Sequence, residues 1–231
     1  MKPFNFQKFT VQQSERVFRV GTDGVLIGAL ASVEGFRNIL EVGCGTGLIS
    51  LMLAQRNPDA EFFAVDISRE AAELASQNFL HSPFSERLKA GQHDYKSLQT
   101  DKRFDLIISN PPYFEENASL KDVLARQKTE LNFEQLVGKS SELITESGLF
   151  TVIIPSDFSS EFENIAKKYG FFLCRKVNIY GIESGSLKRV LLEFSKTEKP
   201  FTESDFIIEK SPRQYSDQYL ELTKEFHVFK K

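Results

Sequence analysis

The chain has 231 residues, of which 41% are hydrophobic and 26% are charged, proportions that fit one globular domain with short additions. No segment approaches the roughly 18 consecutive apolar residues of a membrane span, and the first residues lack the apolar run of a secretory signal. The two cysteines, Cys44 and Cys174, are too few for a disulfide framework and lack metal-ligand spacing. We therefore expect a cytoplasmic protein without a metal site.

The formal net charge is -3, so the chain does not have the strongly basic character that would directly indicate nucleic acid. Contact with RNA would therefore require local basic patches, although paired surface cations more often serve solubility. The candidate pairs are Arg16/Arg19, Lys167/Lys168, Arg175/Lys176, Lys188/Arg189 and Lys230/Lys231.

From Phe36 onward, short apolar runs alternate with helical patterns. Near-continuous apolar strands separated by helices predict a parallel sheet that is covered on both faces. The last two strands have no helix between them and should pair antiparallel. Strands are predicted at residues 38–42, 61–66, 87–90, 104–109, 148–154, 171–180 and 187–194, and helices at 47–56, 68–81, 132–144 and 157–169.

The segments outside this core are short, so we expect one domain over residues 1–231. It would comprise an N-terminal extension packed on the core (1–35), the core itself (36–196) and a C-terminal extension (197–231). Aromatic residues in the first extension suit a small strand or hairpin, and Thr22 or Asp23 is placed to cap a short helix. The second extension has the pattern of a docked amphipathic helix. Its apolar residues are Tyr215, Tyr219, Leu222, Phe226 and Val228.

A glycine-rich loop, Glu41-Val42-Gly43-Cys44-Gly45-Thr46-Gly47, follows the first predicted strand and opens a helix. Glycines permit a tight turn and let a ligand approach the backbone at the carboxyl end of the strand. The alternative is a tight strand-to-helix turn without a ligand. Dinucleotide enzymes place the third glycine three residues after the second, where Leu48 stands here, so the spacing disfavours a nicotinamide cofactor.

Two acidic residues follow the next predicted strands. Asp66 ends the second strand, 19 residues after Gly47, where a carboxylate can accept hydrogen bonds from both hydroxyls of a ribose. Asp94 follows the third strand and could accept from the amino group of an adenine. Capping of a helix is an equally good interpretation of Asp94.

These motifs resemble those of the class I methyltransferases over residues 37–194. The resemblance implies a Rossmann-like α/β fold, with a seven-stranded, mostly parallel sheet whose last strand is antiparallel and whose faces are covered by helices. It implies S-adenosyl-L-methionine as the cofactor, with Glu41 and the loop glycines against its amino acid part. Asp66 would then bind the ribose and Asp94 the adenine.

The tetrapeptide Asn110-Pro111-Pro112-Tyr113 directly follows the fourth predicted strand. Its two prolines fix the backbone and remove two donors, which leaves a stiff turn that presents carbonyl groups. The Asn110 side-chain oxygen and the Pro111 carbonyl can each accept one N–H of a planar amino group, while Tyr113 offers a face for stacking. The alternative is a rigid strand terminator.

This tetrapeptide resembles that of N6-adenine, N5-glutamine and some N2-guanine methyltransferases, in which Asn110 would also border the cofactor. The wider pattern, at residues 20–24, 110–113, 125–126 and 215–226, is similar to bacterial tRNA N6-adenine methyltransferases that modify the adenine beside the anticodon of a valine tRNA. That similarity implies methylation in an anticodon loop, with Arg126 near the RNA. A loop base is already unpaired, which lowers the cost of placing it in a pocket.

Two alternatives belong to other classes. The first is an N5-glutamine methyltransferase that acts on a release factor; such enzymes carry a substantial helical N-terminal domain, whereas 35 residues precede Phe36. The second is a non-catalytic cofactor-binding or RNA-binding protein on the same fold, which would not need the two acceptors of the tetrapeptide. We expect tRNA as the partner, with neither a membrane nor an obligate protein partner.

Overall fold

A computed structural model describes residues 1–17, 19–111 and 131–227 of the chain. The strands are β1 (Phe4–Asn5), β2 (Thr10–Val11), β3 (Asn38–Val42), β4 (Glu61–Asp66), β5 (Leu88–Gln92), β6 (Phe104–Ser109), β7 (Ile144–Pro155), β8 (Phe172–Ile182), β9 (Leu187–Ser195), β10 (Thr202–Ser211) and β11 (Gln214–Tyr215). The helices are α1 (Thr22–Leu30), α2 (Leu48–Arg56), α3 (Arg69–Leu80), α4 (Phe133–Leu143), α5 (Ser159–Lys168) and α6 (Asp217–Thr223).

The central sheet has nine strands in the order β11-β10-β8-β9-β7-β6-β3-β4-β5. Strands β3 to β7 pair parallel with one another, and β9 is antiparallel to both of its neighbours, β7 and β8. This arrangement confirms the predicted α/β class I methyltransferase fold, including the antiparallel seventh strand of the core.

The predicted strand number is wrong, because the C-terminal extension adds two strands to the sheet. Strand β10 pairs parallel with β8, and β11 returns antiparallel to β10. The sequence pattern predicts a docked helix here, but only α6 is helical. The physical reason lies in β8: it would otherwise be an edge strand with unpaired backbone groups, and β10 pairs with them. The polar sequence of β10 gives no regular alternation that would reveal a strand.

Several predicted boundaries agree with the structure to the residue, namely those of β3, β4 and β6. Strand β7 differs, because it begins four residues before the predicted position 148 and pairs with β6 through a register irregularity near Phe104. Helix α5 is preceded by a separate 3-10 turn over Ser156–Phe158, whereas the sequence pattern predicts one continuous helix.

Two apolar layers cover the faces of the sheet. One lies under α1, α2 and α3 and contains Leu26 and Met52, which are fully buried. The other lies under α4 and α5 and is rich in phenylalanine; the ring centroids of Phe162 and Phe194 are 5.9 Å apart. Burial of each such side chain stabilises the fold by about 1.5–3 kcal/mol. The rigid sheet that results fixes the positions of the loops at its edges.

The N-terminal extension forms the predicted small hairpin, β1–β2, whose aromatic residues pack on the core. The expected cap of α1 is wrong, because Gly21 occupies the N-cap position without a side-chain hydrogen bond. Asp23 instead pairs with Arg189 of β9 at 3.0 Å.

Within the described ranges, no helix has the length and apolar character of a membrane span.

Glu193 of β9 ties the N-terminal extension to the sheet. Its side chain is 2% exposed and accepts hydrogen bonds from the Ser32 backbone N–H (2.7 Å) and hydroxyl (2.9 Å). The Arg175 guanidinium lies 3.2 Å from the same carboxylate. A buried charge held by these partners cannot be removed without leaving them unsatisfied.

We expect Glu193→Ala to destabilise the protein by about 3 kcal/mol, since it leaves Arg175 and two donors of Ser32 without their acceptor. For a chain of this size, the thermal midpoint should fall by about 6–12 °C in calorimetry. Glu198→Ala, at an exposed position, serves as the control and should change stability by less than about 0.5 kcal/mol. Equal midpoints for the two variants would show that Glu193 does not anchor the extension.

Candidate active site

The carboxyl ends of β4, β3 and β6 lie side by side and collect most of the predicted site residues. Val42 of β3 is level with Val65 of β4 on one side and with Ser109 of β6 on the other. Neighbouring strands are about 4.8 Å apart, so the segments that follow these three residues share one edge of the sheet. The sheet therefore brings together the glycine loop, Asp66 and Asn110.

The glycine loop has a backbone that only glycine adopts readily. Gly43, Gly45 and Gly47 have φ values of 73°, 53° and 77°, in the left-handed region. A Cβ at Gly47 would lie 2.5 Å from the Phe79 ring, so this glycine permits close packing of α2 on α3. A Cβ at Gly43 would meet no described atom within 4 Å, and one at Gly45 would approach only Val17, at 4.0 Å. The loop thus leaves open space at its first two glycines.

Asp66 is oriented by backbone amides. Its Oδ2 accepts from the Gly45 N–H and its Oδ1 from the Ser68 N–H, both at 2.9 Å. Each carboxylate oxygen retains a further lone pair, so the group can still accept hydrogen bonds from a diol. Ile67, the next residue, has 56% of its surface exposed at this same edge. We add Ile67 to the candidate residues, since an exposed apolar side chain beside the acid suits the face of a planar ring.

Asp94 lies two residues beyond β5 and caps a 3-10 turn over Tyr95–Ser97. Its Oδ1 accepts from the Lys96 backbone N–H at 3.1 Å, and its Oδ2 lies 3.7 Å from the Lys96 ammonium. The capping interpretation is thus present in the structure. The proposed contact with adenine stays a prediction, with Asp94 at the same edge as Asp66 because Gln92 of β5 is level with that residue.

Glu41 carries a buried carboxyl group behind the loop. Its Oε2 accepts from the backbone N–H of Ser50 at 3.0 Å and from the Ser50 hydroxyl. Within the described part of the chain, Oε1 has no hydrogen-bond partner. Burial raises the pKa of Glu41 to about 8, and the negative charge of Asp66 adds to this effect, while the bonds from Ser50 oppose it. A carboxyl group held in this way favours a cationic or proton-donating ligand.

Cys44 lies between the first two glycines and is buried. Burial, followed by the charges of Glu41 and Asp66, raises the pKa of the thiol, so it stays protonated at neutral pH. Cys44 is therefore a small packing residue of the loop rather than a nucleophile.

Asn110 follows β6 directly, and Pro111 beside it is buried. The Ser109 hydroxyl donates to the Val42 carbonyl at 2.8 Å and ties the ends of the two strands together. The Asn110 Oδ1 atom is buried, and no described residue donates to it. A buried oxygen without a donor is costly, so its presence indicates an acceptor kept for a ligand. Three predicted site residues lie outside the described ranges: Pro112, Tyr113 and Arg126.

The methyltransferase small domain family model matches residues 14–170 of the chain. The chain belongs to this family and is therefore a methyltransferase of the class whose fold and cofactor loop it carries. S-adenosyl-L-methionine is the methyl donor of this class.

Two full-length relatives carry the same name, tRNA1(Val) (adenine(37)-N6)-methyltransferase. The protein from Flavobacteriaceae bacterium strain 3519-10 is 53% identical, over 99% of this chain and 100% of its own length. That from Bacteroides thetaiotaomicron is 38% identical, over 97% of each chain.

Solved structures share the fold at low sequence identity. A protein described as a predicted O-methyltransferase, from Agrobacterium tumefaciens, superposes with a TM-score of 0.69 at 20% identity, covering 88% of this chain and 96% of its own. A ribosomal protein L11 methylase from Lactobacillus delbrueckii gives a TM-score of 0.56 at 17% identity, covering 79% and 82%. These similarities concern the fold alone.

The raised pKa of Glu41 makes stability depend on pH. The folded protein holds this proton more tightly than an unfolded chain, whose carboxyl titrates near 4.5, so stability is lost as the pH rises from about 4.5 to about 8. Glu41→Gln keeps an acceptor for Ser50 but cannot ionise. We therefore expect the difference in thermal midpoint, variant minus wild type, to increase steadily between pH 5 and pH 8.

The matched control is Glu86→Gln, at an exposed position in the described chain. Its midpoint should stay at a constant offset from the wild type over the same pH range. A constant offset for Glu41→Gln as well would mean that Glu41 ionises normally.

Proposed function

We propose that the protein transfers a methyl group from S-adenosyl-L-methionine to the exocyclic N6 of adenine 37 in a valine tRNA. Support for the substrate comes from the names of the full-length relatives. The observation that carries the chemistry is the buried Asn110 Oδ1, which lies beside the cofactor loop and receives no hydrogen bond from the described residues. Such an acceptor suits an amino group, which brings two N–H donors.

The residues around the loop suit S-adenosyl-L-methionine. The open space at Gly43 and Gly45 can receive its amino acid part, and the buried Glu41 offers an unpaired oxygen for a cationic ammonium group. Asp66, held by two backbone amides, would accept from the ribose hydroxyls. When bound, the cofactor supplies a methyl group on a positively charged sulfonium.

Asn110 and Pro111 would orient the nucleophile. The lone pair of an adenine amino group is delocalised into the ring, which makes the nitrogen a poor nucleophile. The Asn110 oxygen would accept one N–H of this group, and the Pro111 carbonyl would accept the other. This pair of hydrogen bonds favours a pyramidal nitrogen whose lone pair points towards the methyl group. Tyr113 would stack on the base, a contact worth about 1–3 kcal/mol.

Positioning would supply most of the acceleration. Holding a nucleophile in line with its electrophile can lower a barrier by about 7–11 kcal/mol. No strong base is needed at Asn110, because the nitrogen becomes acidic only as it accepts the methyl group, and the proton that it then loses can pass to water. The stiff turn after β6 suits this role, since the Ser109–Val42 hydrogen bond fixes the strand end that carries it.

Asn110→Ala tests the proposed mechanism. We expect the rate of methyl transfer to tRNA to fall on the order of 10²–10³-fold, as for removal of one preorganised polar group from an active site. The thermal midpoint should be retained, because Oδ1 has no donor among the described residues to lose. Asn178→Ala, which removes a half-buried amide bonded to Glu203 and Asp205, is the matched control and should be fully active. Transfer by Asn110→Ala at a wild-type rate would reject the role.

A second experiment separates the candidate substrates. The protein is incubated with methyl-labelled S-adenosyl-L-methionine and, in separate reactions, total tRNA or a release factor. We expect label in the tRNA alone, recovered as N6-methyladenosine by nucleoside mass analysis, and its absence from tRNA of a deletion strain. Label in the release factor alone would overturn the tRNA proposal, and binding of the cofactor without any transfer would indicate a non-catalytic protein.

A further inference from the structure

The hairpin of β10 and β11 extends well past the edge that carries the site. Across the sheet, Pro155 of β7 is level with Arg189, Arg189 with Ile179, and Ile179 with Phe206 of β10. Pro155 ends its strand, whereas β10 continues for five more residues to Ser211. At about 3.3 Å per residue, the turn of the hairpin lies about 20 Å beyond the carboxyl end of β7. We name this projecting segment, residues 207–215, the overhang.

The turn of the overhang holds an arginine in a backbone conformation that arginine rarely adopts. Arg213 has a φ of 67° and is the one non-glycine residue in the described ranges with a positive φ. It follows Pro212 at the turn between the two strands, a place that glycine or asparagine normally takes. The Arg213 backbone N–H donates to the Glu209 side chain at 3.2 Å, which holds the turn. The left-handed backbone at Arg213 costs free energy that a glycine would not. The presence of arginine at this position therefore points to a role for its side chain.

Some cations of the described chain lie in ion pairs, whereas others, such as Lys89 and Arg103, do not. Arg16, Lys168 and Arg175 each lie within an ion pair. By contrast, no ion pair within the described chain involves three exposed cations at this edge, one at the start of β9 and two in the overhang. These are Lys188, Lys210 and Arg213.

These three cations are not neutralised by an acidic side chain of the described residues and lie at the edge that carries the site, so they are available to an anion although the protein has a net charge of -3. Cationic side chains of this kind bind the phosphates of an RNA backbone. Such contacts fix the position of the RNA on the protein but do not recognise its sequence. A base held at Asn110 would leave the phosphates of its stem farther out from the sheet edge, and the overhang extends in that direction. Lys188 lies at the start of β9, which is closer to the site than β10 in the order of the strands.

We propose that the overhang, with Lys188, Lys210 and Arg213, is a phosphate-binding arm that holds the stem of the substrate RNA while the target base occupies the site beside Asn110. This inference rests on the proposed function and deepens it. A protein partner for the same surface is the competing outcome of its test.

The central variant is Arg213→Gly, because glycine relieves the left-handed backbone while removing the charge. We expect an unchanged or raised thermal midpoint together with a three- to tenfold higher KM for tRNA, and an unchanged Kd for S-adenosyl-L-methionine. Arg213→Lys should restore most of the tRNA affinity. A fall in stability without a change in KM would assign Arg213 to the fold and overturn the proposal.

The triple variant Lys188→Ala/Lys210→Ala/Arg213→Gly tests the arm as a unit. We expect a KM for tRNA at least tenfold above that of the wild type at physiological salt. The dependence of log KM on log salt should become shallower by about 0.7–0.9 for each phosphate that the variant no longer binds. The control is Lys89→Ala/Arg103→Ala, which removes two exposed cations remote from this edge and should leave both quantities within twofold.

The RNA used separates the inference from the proposed function. A single-stranded oligonucleotide with only the loop sequence lacks stem phosphates, so wild type and triple variant should methylate it with equal KM. If the wild type methylates tRNA and the triple variant matches the control, the arm is rejected while the proposed function stands. If the wild type methylates a protein and not tRNA, the proposed function fails, and the phosphate-binding role of the overhang fails with it.

Discussion

Parallel pairing of β3 with β4 on one side and β6 on the other is the constraint on which the site depends. Residues that are far apart in sequence, at positions 41–47, 66 and 110, become neighbours because three strands end at one level. Each strand end is then secured by its own hydrogen bond: the Gly43 N–H to the Val65 carbonyl at 2.8 Å, and the Ser109 hydroxyl to the Val42 carbonyl. The apolar layers on both faces give this edge its rigidity, and a rigid edge is what catalysis by positioning requires.

Two buried oxygens at this edge lack donors among the described residues, Glu41 Oε1 and Asn110 Oδ1. Each of these atoms destabilises the folded state, because burial of a polar atom without a hydrogen-bond partner costs about 1–3 kcal/mol. Glu41 lies in β3 and Asn110 directly follows β6, and the two oxygens differ in what they would accept. Burial raises the pKa of Glu41, so this carboxyl group can either hold a proton or meet a cation, whereas the Asn110 amide stays neutral and its Oδ1 acts as a hydrogen-bond acceptor. The two oxygens therefore suit ligand groups of different chemistry.

The amino-acid sequence is sufficient to predict those strands whose residues form a clear local pattern. Strands β3, β4 and β6 are short, mostly apolar runs, and each is followed or ended by a marker: Gly43 after β3, Asp66 at the end of β4, and Asn110-Pro111 after β6. Both their bounds and their shared edge can therefore be predicted. The tail cannot, because β10 owes its conformation to pairing with β8 rather than to any alternation of its own. The role of Asp23 is hidden for the same reason: the partner that decides it, Arg189, is 166 residues away. Ile67 could have been found, since an apolar residue after a strand-ending acid is visible in the sequence.

The net charge of -3 argues against RNA only if the charge is taken as evenly spread. Several of the cations proposed from paired basic residues are neutralised locally, as Arg175 is by Glu193 and Arg16 by Glu70. Lys210 and Arg213 of the overhang lie in no ion pair of the described chain and extend past the edge that carries the site, so they remain available to a polyanion. Screening at physiological salt, with a Debye length of about 8 Å, weakens the effect of distant acids on them. An acidic protein can in this way orient an RNA. The positions of such cations relative to the site, which the composition does not reveal, would decide how an RNA is oriented.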